Sequence, residues 1–193
     1  LLTFGFGQDY SLQFDGVDDY VEVPDHDQLS GGGKDFSVQV KFNSNDISKR
    51  QDIVSKFLSP SWKDWGLLLM ESKISFGYEY QVNEVVQYSE ILQSNQDYSV
   101  AFTYEYQSRQ LILYMNSEQV ASKILNNDLP NSNEPVSIGR QGGSYNDKYF
   151  NGVIDDLVIW ETVLSSDDLE AHMNGGLTGQ EDGLVGYWNF NEG

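Results

Sequence analysis

The sequence consists largely of short runs in which apolar and polar residues alternate, and this pattern is compatible with few folds. The clearest run, FSVQVKF at residues 36–42, has Phe36, Val38, Val40 and Phe42 at every second position. Side chains of a β-strand point alternately to its two faces, so this run predicts a strand with one buried face. Turn-forming residues separate it from further strand-like runs, which are DIVSKFL, WGLLLM, KISFGYEY, EVVQYS, YSVAFTYEY, QLILYMN, EQVASKIL, PVSIGR and GVIDDLVIW. Many short strands of this kind predict a sandwich of two antiparallel sheets.

One segment, SSDDLEAHM at residues 165–173, has the features of a helix instead. Ser165 or Ser166 can cap its N-terminus, and the acidic residues of the first turn oppose the positive end of the helix dipole. The sequence therefore predicts one short surface helix with no functional role. Its apolar side chains are expected to cover the edge of the sandwich, and they are Leu164, Leu169 and Met173.

The chain of 193 residues is long enough for one large β domain, which we place at residues 8–182. Residues 1–7, LLTFGFG, are uncharged and have Gly5 and Gly7 at the small-residue positions of an A-x-A-like cleavage site, so they are interpreted as the tail of a secretory signal peptide; an ordinary first strand is the alternative. Residues 183–193 form either the final strand or the start of a following repeat. No later apolar run is close to the length of about 18 residues that is needed to cross a bilayer. A secreted or cell-surface protein without membrane insertion is therefore expected.

Charge and composition exclude several classes of function. With 30 acidic against 11 basic residues the formal net charge is −19, which repels nucleic acid and anionic lipid and attracts divalent cations. The chain has no cysteine, which removes disulfides, thiolate catalysis and cysteine-based zinc sites. His26 and His172 are far apart in sequence, which disfavours a zinc centre or a histidine relay.

Several segments together resemble the laminin G-like jelly-roll domains of the concanavalin A-like lectin and glucanase superfamily, which include pentraxins. LQFDGVDDYVEVP is similar to the opening hairpin of the family, YSVAFTYEYQSRQLILYMNSEQVAS to its central hairpins, and VSIGRQGGSYNDKYFNGVIDDLVIWETVLSSDDLEAHM to its closing strand and helix. The resemblance implies an all-β, antiparallel two-sheet jelly-roll sandwich with one short surface helix. The terminal GLVGYWNFNEG resembles the start of a repeat, which implies neighbouring domains in a larger chain.

Catalysis is not expected, although some relatives with this fold hydrolyse glycosidic bonds. Such enzymes need two carboxylates that face one sugar bond, and the glucanase branch places them on an E-x-D-x-E type strand. Here Glu79, Glu84 and Glu90 have the wrong spacing, and Asp155 and Asp156 are adjacent, so that in a regular strand they point to opposite faces.

Two acidic groups indicate a structural calcium site. Asp15, Asp18 and Asp19 lie between the first two strands, which we expect to form a hairpin, and Asp155 and Asp156 interrupt an apolar strand. A carboxylate inside a sandwich is costly unless it is paired or metal-bound, and calcium accepts carboxylate oxygens. The family resemblance implies that the opening and closing strands are neighbours, so the two groups are expected to meet. The alternative is that these carboxylates accept hydrogen bonds from backbone N–H groups in turns.

Two polar loops supply a candidate platform for a sugar. Sugar binding uses aromatic faces and planar polar groups, and the loops SWKDW and GRQGGSYNDKYF contain both. By resemblance, the second loop lies where pentraxins bind calcium and, through it, ligand. The predicted ligand-binding residues are Trp62, Asp64, Gln141, Tyr145, Asn146, Asp147 and Tyr149.

The sequence therefore indicates a secreted, calcium-stabilised carbohydrate-binding or adhesion module without catalytic activity, whose partner is a carbohydrate or a glycosylated cell surface. The alternatives are a structural or protein-interaction unit of a tandem extracellular array and a divergent polysaccharide hydrolase or lyase.

Overall fold

The computed structural model describes residues 10–56, 64–78, 84–142, 148–175 and 177–191. Its strands are β1 (Leu12–Asp15), β2 (Val21–Val23), β3 (Phe36–Ser44), β4 (Gln51–Ser55), β5 (Gly66–Met70), β6 (Lys73–Gly77), β7 (Val85–Gln87), β8 (Asp97–Glu105), β9 (Gln110–Met115), β10 (Glu118–Ile124), β11 (Val136–Ile138), β12 (Asn151–Trp160) and β13 (Leu184–Trp188). A seven-stranded sheet has the order β1-β12-β3-β8-β9-β10, with β13 also paired to β12. A six-stranded sheet has the order β2-β11-β4-β5-β6-β7.

The core lies between the inner faces of the two sheets. Phe36, Val38, Val40 and Phe42 of β3 all belong to it, as their alternation predicts. The ring of Phe102 on the seven-stranded sheet stacks on that of Phe76 on the six-stranded sheet, with centroids 3.5 Å apart. Such aromatic pairs add specific geometry to the burial of apolar area. The antiparallel two-sheet jelly-roll sandwich expected from the sequence is confirmed.

The predicted opening hairpin is wrong, because β1 and β2 belong to different sheets. β1 pairs with β12 in the seven-stranded sheet, whereas β2 pairs with β11 in the six-stranded sheet. The chain thus crosses from one sheet to the other through residues 16–20, GVDDY. A hairpin and a crossing between sheets both require turn-forming residues, so the sequence signal is the same for the two.

A β-bulge in β12 changes which of its residues face the core. Asp155 lies opposite Lys41 of β3 and Val158 lies opposite Gln39, so two residues of β12 face the single residue Val40. Asp156 occupies the bulge with a φ of 47°. The extra residue shifts the alternation by one position, as bulges do.

The result of this shift is visible in the burial on either side of the bulge. Ile154 before it and Leu157 and Ile159 after it all join the core between the sheets. Asp155 and Asp156 both remain partly exposed. The expectation that adjacent acids in this strand point to opposite faces is therefore wrong here.

One α-helix, α1 (Ser166–Met173), occurs in the described part of the chain and has the predicted N-cap. The Ser165 hydroxyl accepts a hydrogen bond from the Asp168 backbone N–H at 3.2 Å, and the Asp168 carboxylate accepts one from the Ser165 N–H at 3.0 Å. This reciprocal pair is a capping box. With eight residues α1 is too short to cross a membrane, and no other described helix is long and apolar enough to do so.

The helix covers part of a sheet face, and not the sandwich edge that the sequence led us to expect. Leu164 and Leu169 form a second apolar cluster with Val158 and Trp160 of β12, on the side of the seven-stranded sheet that faces away from the core. The ring of His172 stacks on that of Trp160, with centroids 4.7 Å apart. The helix thus covers the part of this outer surface that surrounds Trp160.

The last strand, β13, pairs with the second half of β12, and β1 pairs with the first half. The register places Leu157 opposite Trp188 and Leu12 opposite Ile154. The backbone N–H of Tyr10 donates a hydrogen bond to the Asn191 side chain at 2.8 Å. Residues 184–188 therefore extend the seven-stranded sheet in this structure, whereas the predicted signal-peptide remnant at residues 1–7 lies outside the described residues.

Gly139 allows a direct test of how tightly the segment after β11 is packed. Its φ is +82°, and a Cβ at this position would lie 2.3 Å from the Phe14 ring, whereas Gly33 has a φ of +80° and open space around the same position. We expect Gly139→Ala to lower the free energy of unfolding by about 1–3 kcal/mol more than Gly33→Ala, because only Gly139→Ala adds overpacking to the backbone strain. Urea unfolding of the two variants measures the difference, and equal losses would contradict this packing.

Candidate functional site

The three carboxylates of the crossing between β1 and β2, which we call the acidic turn, come together as predicted. Asp15, Asp18 and Asp19 each offer an oxygen within 4.8 Å of the others, and all three are exposed. Asp15 Oδ1 also accepts hydrogen bonds from the N–H groups of Val17 at 2.7 Å and Asp18 at 3.4 Å. Asp19 Oδ2 accepts one from the Asp15 N–H at 3.0 Å.

The donor atoms of the acidic turn suit a hard cation. Calcium takes 6 to 8 oxygen ligands, so three carboxylates supply part of a coordination shell that carbonyl groups and water would have to complete. The same oxygens already satisfy backbone N–H groups of the turn, which is the metal-free role expected as the alternative. Calcium at Asp15, Asp18 and Asp19 therefore stays a prediction.

Asp155 and Asp156 do not join the acidic turn. The register pairs Asp15 with Asn151, so Asp155 lies four residues further along β12, at a distance of about 13 Å for an extended strand. Asp156 Oδ2 accepts from Lys41 Nζ at 2.7 Å, and Asp156 Oδ1 accepts from the Tyr187 hydroxyl at 3.0 Å. The cation that neutralises Asp156 is thus Lys41, from β3, and the sequence-based argument that a metal must do so is corrected.

Asp64, a predicted ligand-binding residue, is buried in a polar cluster and has no exposed surface. Its Oδ2 accepts hydrogen bonds from the Ser30 hydroxyl at 2.8 Å and from the Ser132 N–H and hydroxyl, both at 3.0 Å. These contacts hold the loop after β2 and the loop before β11 together. The carboxylate of Asp64 is therefore a structural group that a ligand at the surface does not reach.

Lys56 is the cation of this cluster and is also fully buried. Its Nζ contacts the Asp25 carboxylate at 2.6 Å, the carbonyl oxygens of Ser132 at 2.9 Å and Glu134 at 2.7 Å, and Asp64 Oδ2 at 3.7 Å. Burial raises the pKa of Asp64 to about 7, although its hydrogen bonds and Lys56 oppose the shift. Its second oxygen, Oδ1, is buried without a hydrogen-bond partner, which is consistent with a cost of ionising this group.

This raised pKa predicts a specific dependence of stability on pH. The folded state retains the Asp64 proton up to about pH 7, whereas the unfolded chain loses it near the ordinary aspartate pKa of 3.8, so the contribution is complete below pH 3.8 and is lost as the pH rises through 7. We expect the free energy of unfolding of the wild type to fall by an amount on the order of 2 kcal/mol between pH 5 and pH 8, and we expect Asp64→Asn to abolish this fall.

Urea unfolding of wild type and Asp64→Asn at both pH values gives this difference. The pKa of His172 is lowered by burial, which makes stability change with pH in the opposite direction, but that contribution is common to both proteins and cancels. Identical pH profiles of the two proteins would contradict a protonated Asp64.

The outward surface of the six-stranded sheet, which we call the front face, has small side chains along its middle. Its register forms a row across five strands in which the middle positions are small: Glu22, Ser137, Ser55, Gly66 and Gly77. These residues alternate with core residues along their strands, so they point away from the core. The front face also includes Asp52, Leu68, Met70, Lys73, Ser75, Val85 and Gln87.

A shallow depression, open to solvent, lies on the front face over β5, β6 and β7. Leu68, Met70 and Val85 give it apolar sides, and Ser75 gives it a hydroxyl. The Ser75 hydroxyl accepts a hydrogen bond from the Gln87 amide at 2.8 Å. Apolar surface with a few polar groups is the usual composition of a small-molecule site.

The predicted ligand-binding residues lie beside the front face or outside the described residues. Gln141 is 3% exposed, and its neighbour Gly142 donates its N–H to the Ser55 hydroxyl at 3.4 Å. Tyr149 is half-buried, next to Lys148, whose carbonyl accepts the Asp52 N–H at 3.2 Å. The segments on either side of residues 143–147 therefore both contact β4. The remaining predictions, Trp62, Tyr145, Asn146 and Asp147, lie outside the described residues.

Sequence reasoning missed a group at the other end of the front face, formed by Tyr20, Glu22 and Arg140. The guanidinium of Arg140 lies 3.4 Å from the centre of the Tyr20 ring, and its Nη2 donates to Glu22 at 2.9 Å. Tyr20 is 45% exposed, so one polar and one aromatic group reach the surface here. The alternation of Val21, Glu22 and Val23 indicates that Glu22 points outward. The sequence does not indicate which strand pairs with β2.

Glu84, one of three acids considered for catalysis, is 1% exposed and has a structural role. Both of its carboxylate oxygens accept from the N–H of Asn126, at 3.1 and 3.4 Å. This carboxylate ties the start of β7 to the segment after β10.

The comparisons with known proteins agree with this architecture. A family model described as the concanavalin A-like lectin/glucanases superfamily, of the laminin G type, matches residues 15–170. The chain belongs to this laminin G-like family. No curated protein matches the sequence.

Solved structures with the same fold include proteins that bind sugars. A candidate carbohydrate-binding protein from Bacteroides ovatus ATCC 8483 superimposes with a TM-score of 0.73 at 16% identity, over 94% of this laminin G-like chain and 53% of that one. The chain thus spans about half the length of that protein.

Two further structures match most of their own length. The heptameric SAP-like pentraxin of Limulus polyphemus has a TM-score of 0.64 at 13% identity, over 94% of this chain and 93% of that one. The CBM40 of Ruminococcus gnavus IT-sialidase bound to α2,3-sialyllactose has a TM-score of 0.62 at 14% identity, over 84% and 95%. At these identities the similarity establishes the fold.

Proposed function

We propose that the protein is a carbohydrate-binding module and that the sugar lies on the front face. The observation that carries this proposal is the depression over β5 to β7, which combines apolar sides with the Ser75 hydroxyl and a floor of small residues. A sugar ring offers C–H groups to an apolar surface and hydroxyls to polar neighbours, so this composition suits it. The carbohydrate-binding proteins among the structural neighbours support the same class of ligand.

The proposed module acts outside the cell, binds without catalysis, and functions as part of a larger adhesive or polysaccharide-processing protein. The buried role of Glu84 supports the non-catalytic proposal, since that carboxylate serves to hold a backbone segment. The carbohydrate partner is a free polysaccharide or a glycosylated surface.

The front face is tested by adding a charge at the rim of the depression. Val85 is half-buried on β7, at the end of the sheet, so Val85→Glu places a carboxylate beside the site without opening the core. We expect Val85→Glu to weaken binding to the best ligand of a glycan array at least tenfold, because it repels or blocks the sugar ring, and to leave Tm nearly unchanged.

The matched control is Val163→Glu, which makes the same change at a 37% exposed residue before α1 on the other side of the protein. It should bind like wild type. Equal loss in both variants would move the site away from the front face. An array without any ligand, together with concentration-dependent self-association, would favour a structural or protein-interaction unit instead.

We further propose that the acidic turn binds calcium and stabilises the crossing between the two sheets. The support is the convergence of three exposed carboxylates within 4.8 Å, in a protein whose net charge of −19 attracts divalent cations. The bound ion would link the end of β1 to the start of β2. Asp155 and Asp156 have no part in this proposal, because they lie elsewhere on β12.

Thermal melts with chelator and with 1 mM calcium test the metal. We expect calcium to raise Tm by several degrees in wild type, because an ion that binds only the native state stabilises it by mass action. Asp15→Asn/Asp18→Asn should abolish this rise. Asp155→Asn is the matched control and should keep it. A calcium response that survives the double substitution, or no response in wild type, would contradict the site.

A further inference from the structure

The charges of the front face differ from those of the protein as a whole. The chain carries 30 acidic and 11 basic residues, yet three cations, Arg50, Lys73 and Arg140, lie on or beside the described front face, against the carboxylates of Glu22 and Asp52 on it and of Asp19 and Glu71 at its border. Asp52 is fully buried beneath Arg50, whose Nε lies 3.3 Å from its Oδ1. The described front face and its border are therefore less acidic than the protein as a whole.

Only the nearby charges decide which ligands this surface attracts. At physiological ionic strength the Debye length is about 8 Å, so carboxylates on remote parts of the molecule are screened from a ligand on the front face, whereas the acidic turn directly before Tyr20 still acts on it. Net charge excludes long anionic polymers that would wrap the whole protein, such as nucleic acid. It does not exclude an anionic group that contacts the front face alone.

Arg140 is held in place but uses only part of its hydrogen-bonding capacity. Its guanidinium stacks on Tyr20, and its Nη2 donates to Glu22 Oε2 at 2.9 Å. Its Nε, on the same edge of the guanidinium, is buried without an acceptor. A carboxylate normally engages such an edge with both oxygens, so Glu22 makes half of the available contact.

A second unused polar group lies beside this pair. Ser137 is fully buried, its hydroxyl has no hydrogen-bond partner, and the register places it opposite Glu22 on the front face. Buried polar groups are rarely left unpaired, because each costs the free energy of its lost hydration. Two such groups thus face the Glu22 side chain, which is 46% exposed and free to move away.

We propose that the front face binds a carboxylate-bearing sugar and that the ligand carboxylate replaces Glu22 on Arg140. The ligand would accept hydrogen bonds from both Nε and Nη2 of Arg140 and reach the Ser137 hydroxyl, while its ring extends along the small residues of the front face. Glu22 occupies Arg140 in the free protein and competes with the ligand. This inference rests on the proposed carbohydrate-binding function and names the class of sugar.

The test uses four polymers with carboxylate sugars, namely polygalacturonate, alginate, hyaluronate and α2,8-linked polysialic acid, each compared with its carboxyl-reduced neutral form. Binding is measured by titration calorimetry in 0.15 M salt. We expect at least one acidic polymer to bind at least tenfold more tightly than its reduced form. Equal binding of the two forms for every polymer would overturn the proposal.

Two variants of opposite expected effect identify the residues. Arg140→Gln should weaken binding of the acidic polymer at least tenfold, whereas Glu22→Gln should strengthen it several-fold because the competing carboxylate is gone. A gain of affinity cannot result from a damaged fold. Arg109→Gln is the matched control, since Arg109 is an exposed arginine paired with Asp128 at the turn after β8, and it should bind like wild type.

The outcomes separate this inference from the function on which it rests. Neutral glycans that bind in a Val85-dependent manner, without any preference for the acidic polymers, would leave the carbohydrate-binding function standing and overturn the role of Arg140. Loss of affinity in Glu22→Gln, or equal loss in Arg140→Gln and Arg109→Gln, would also overturn that role. Absence of binding to both neutral and acidic glycans would remove both proposals.

Discussion

The bulge in β12 sets which side chains of this strand enter the core and which face outward. This strand pairs with β3 on one side and with β1 and β13 on the other, so its alternation decides what lies on both faces of the seven-stranded sheet. Without the extra residue, Asp156 would point into the core and Leu157 would point away from it. Burying an unpaired carboxylate costs several kcal/mol, so the bulge lets one strand supply Ile154, Leu157 and Ile159 to the core.

The same bulge prepares the outer surface for α1 and β13. Because Val158 and Trp160 face outward after it, they form the apolar cluster that Leu164 and Leu169 cover. Asp156 is then free to join Lys41 of β3 to Tyr187 of β13. Much of the outer surface of the seven-stranded sheet is therefore used for packing against α1, whereas no described helix covers the front face of the other sheet.

The strands and the helix were predictable because they depend on local patterns. Alternation in FSVQVKF placed Phe36, Val38, Val40 and Phe42 in the core, and the serine and acids of SSDDLEAHM marked the capped start of α1. Convergence of Asp15, Asp18 and Asp19 was also accessible, because a short turn brings its own side chains together. Each of these features involves residues within a few positions of one another.

Most of the failed or missed features concern partners from distant parts of the chain. Asp64 is a plausible surface ligand in the loop SWKDW, but Ser30 and Ser132 bury it. Asp156 lacks a nearby cation in sequence, but β3 brings Lys41 to it. The pairing of Arg140 with Glu22, 118 residues apart, has no local signal.

Local patterns in the sequence are therefore enough to predict the periodicity of the strands, the helix cap, the acidic turn and the family to which the chain belongs. Long-range packing is needed to show that β1 and β2 enter different sheets, that a bulge turns Asp156 outward, and that Arg140 lies on Tyr20 with one donor unused. The physical reason is that alternation and capping depend on the covalent neighbours of a residue. Strand partners, charge pairs and the surface left open depend on which distant segments bury each other.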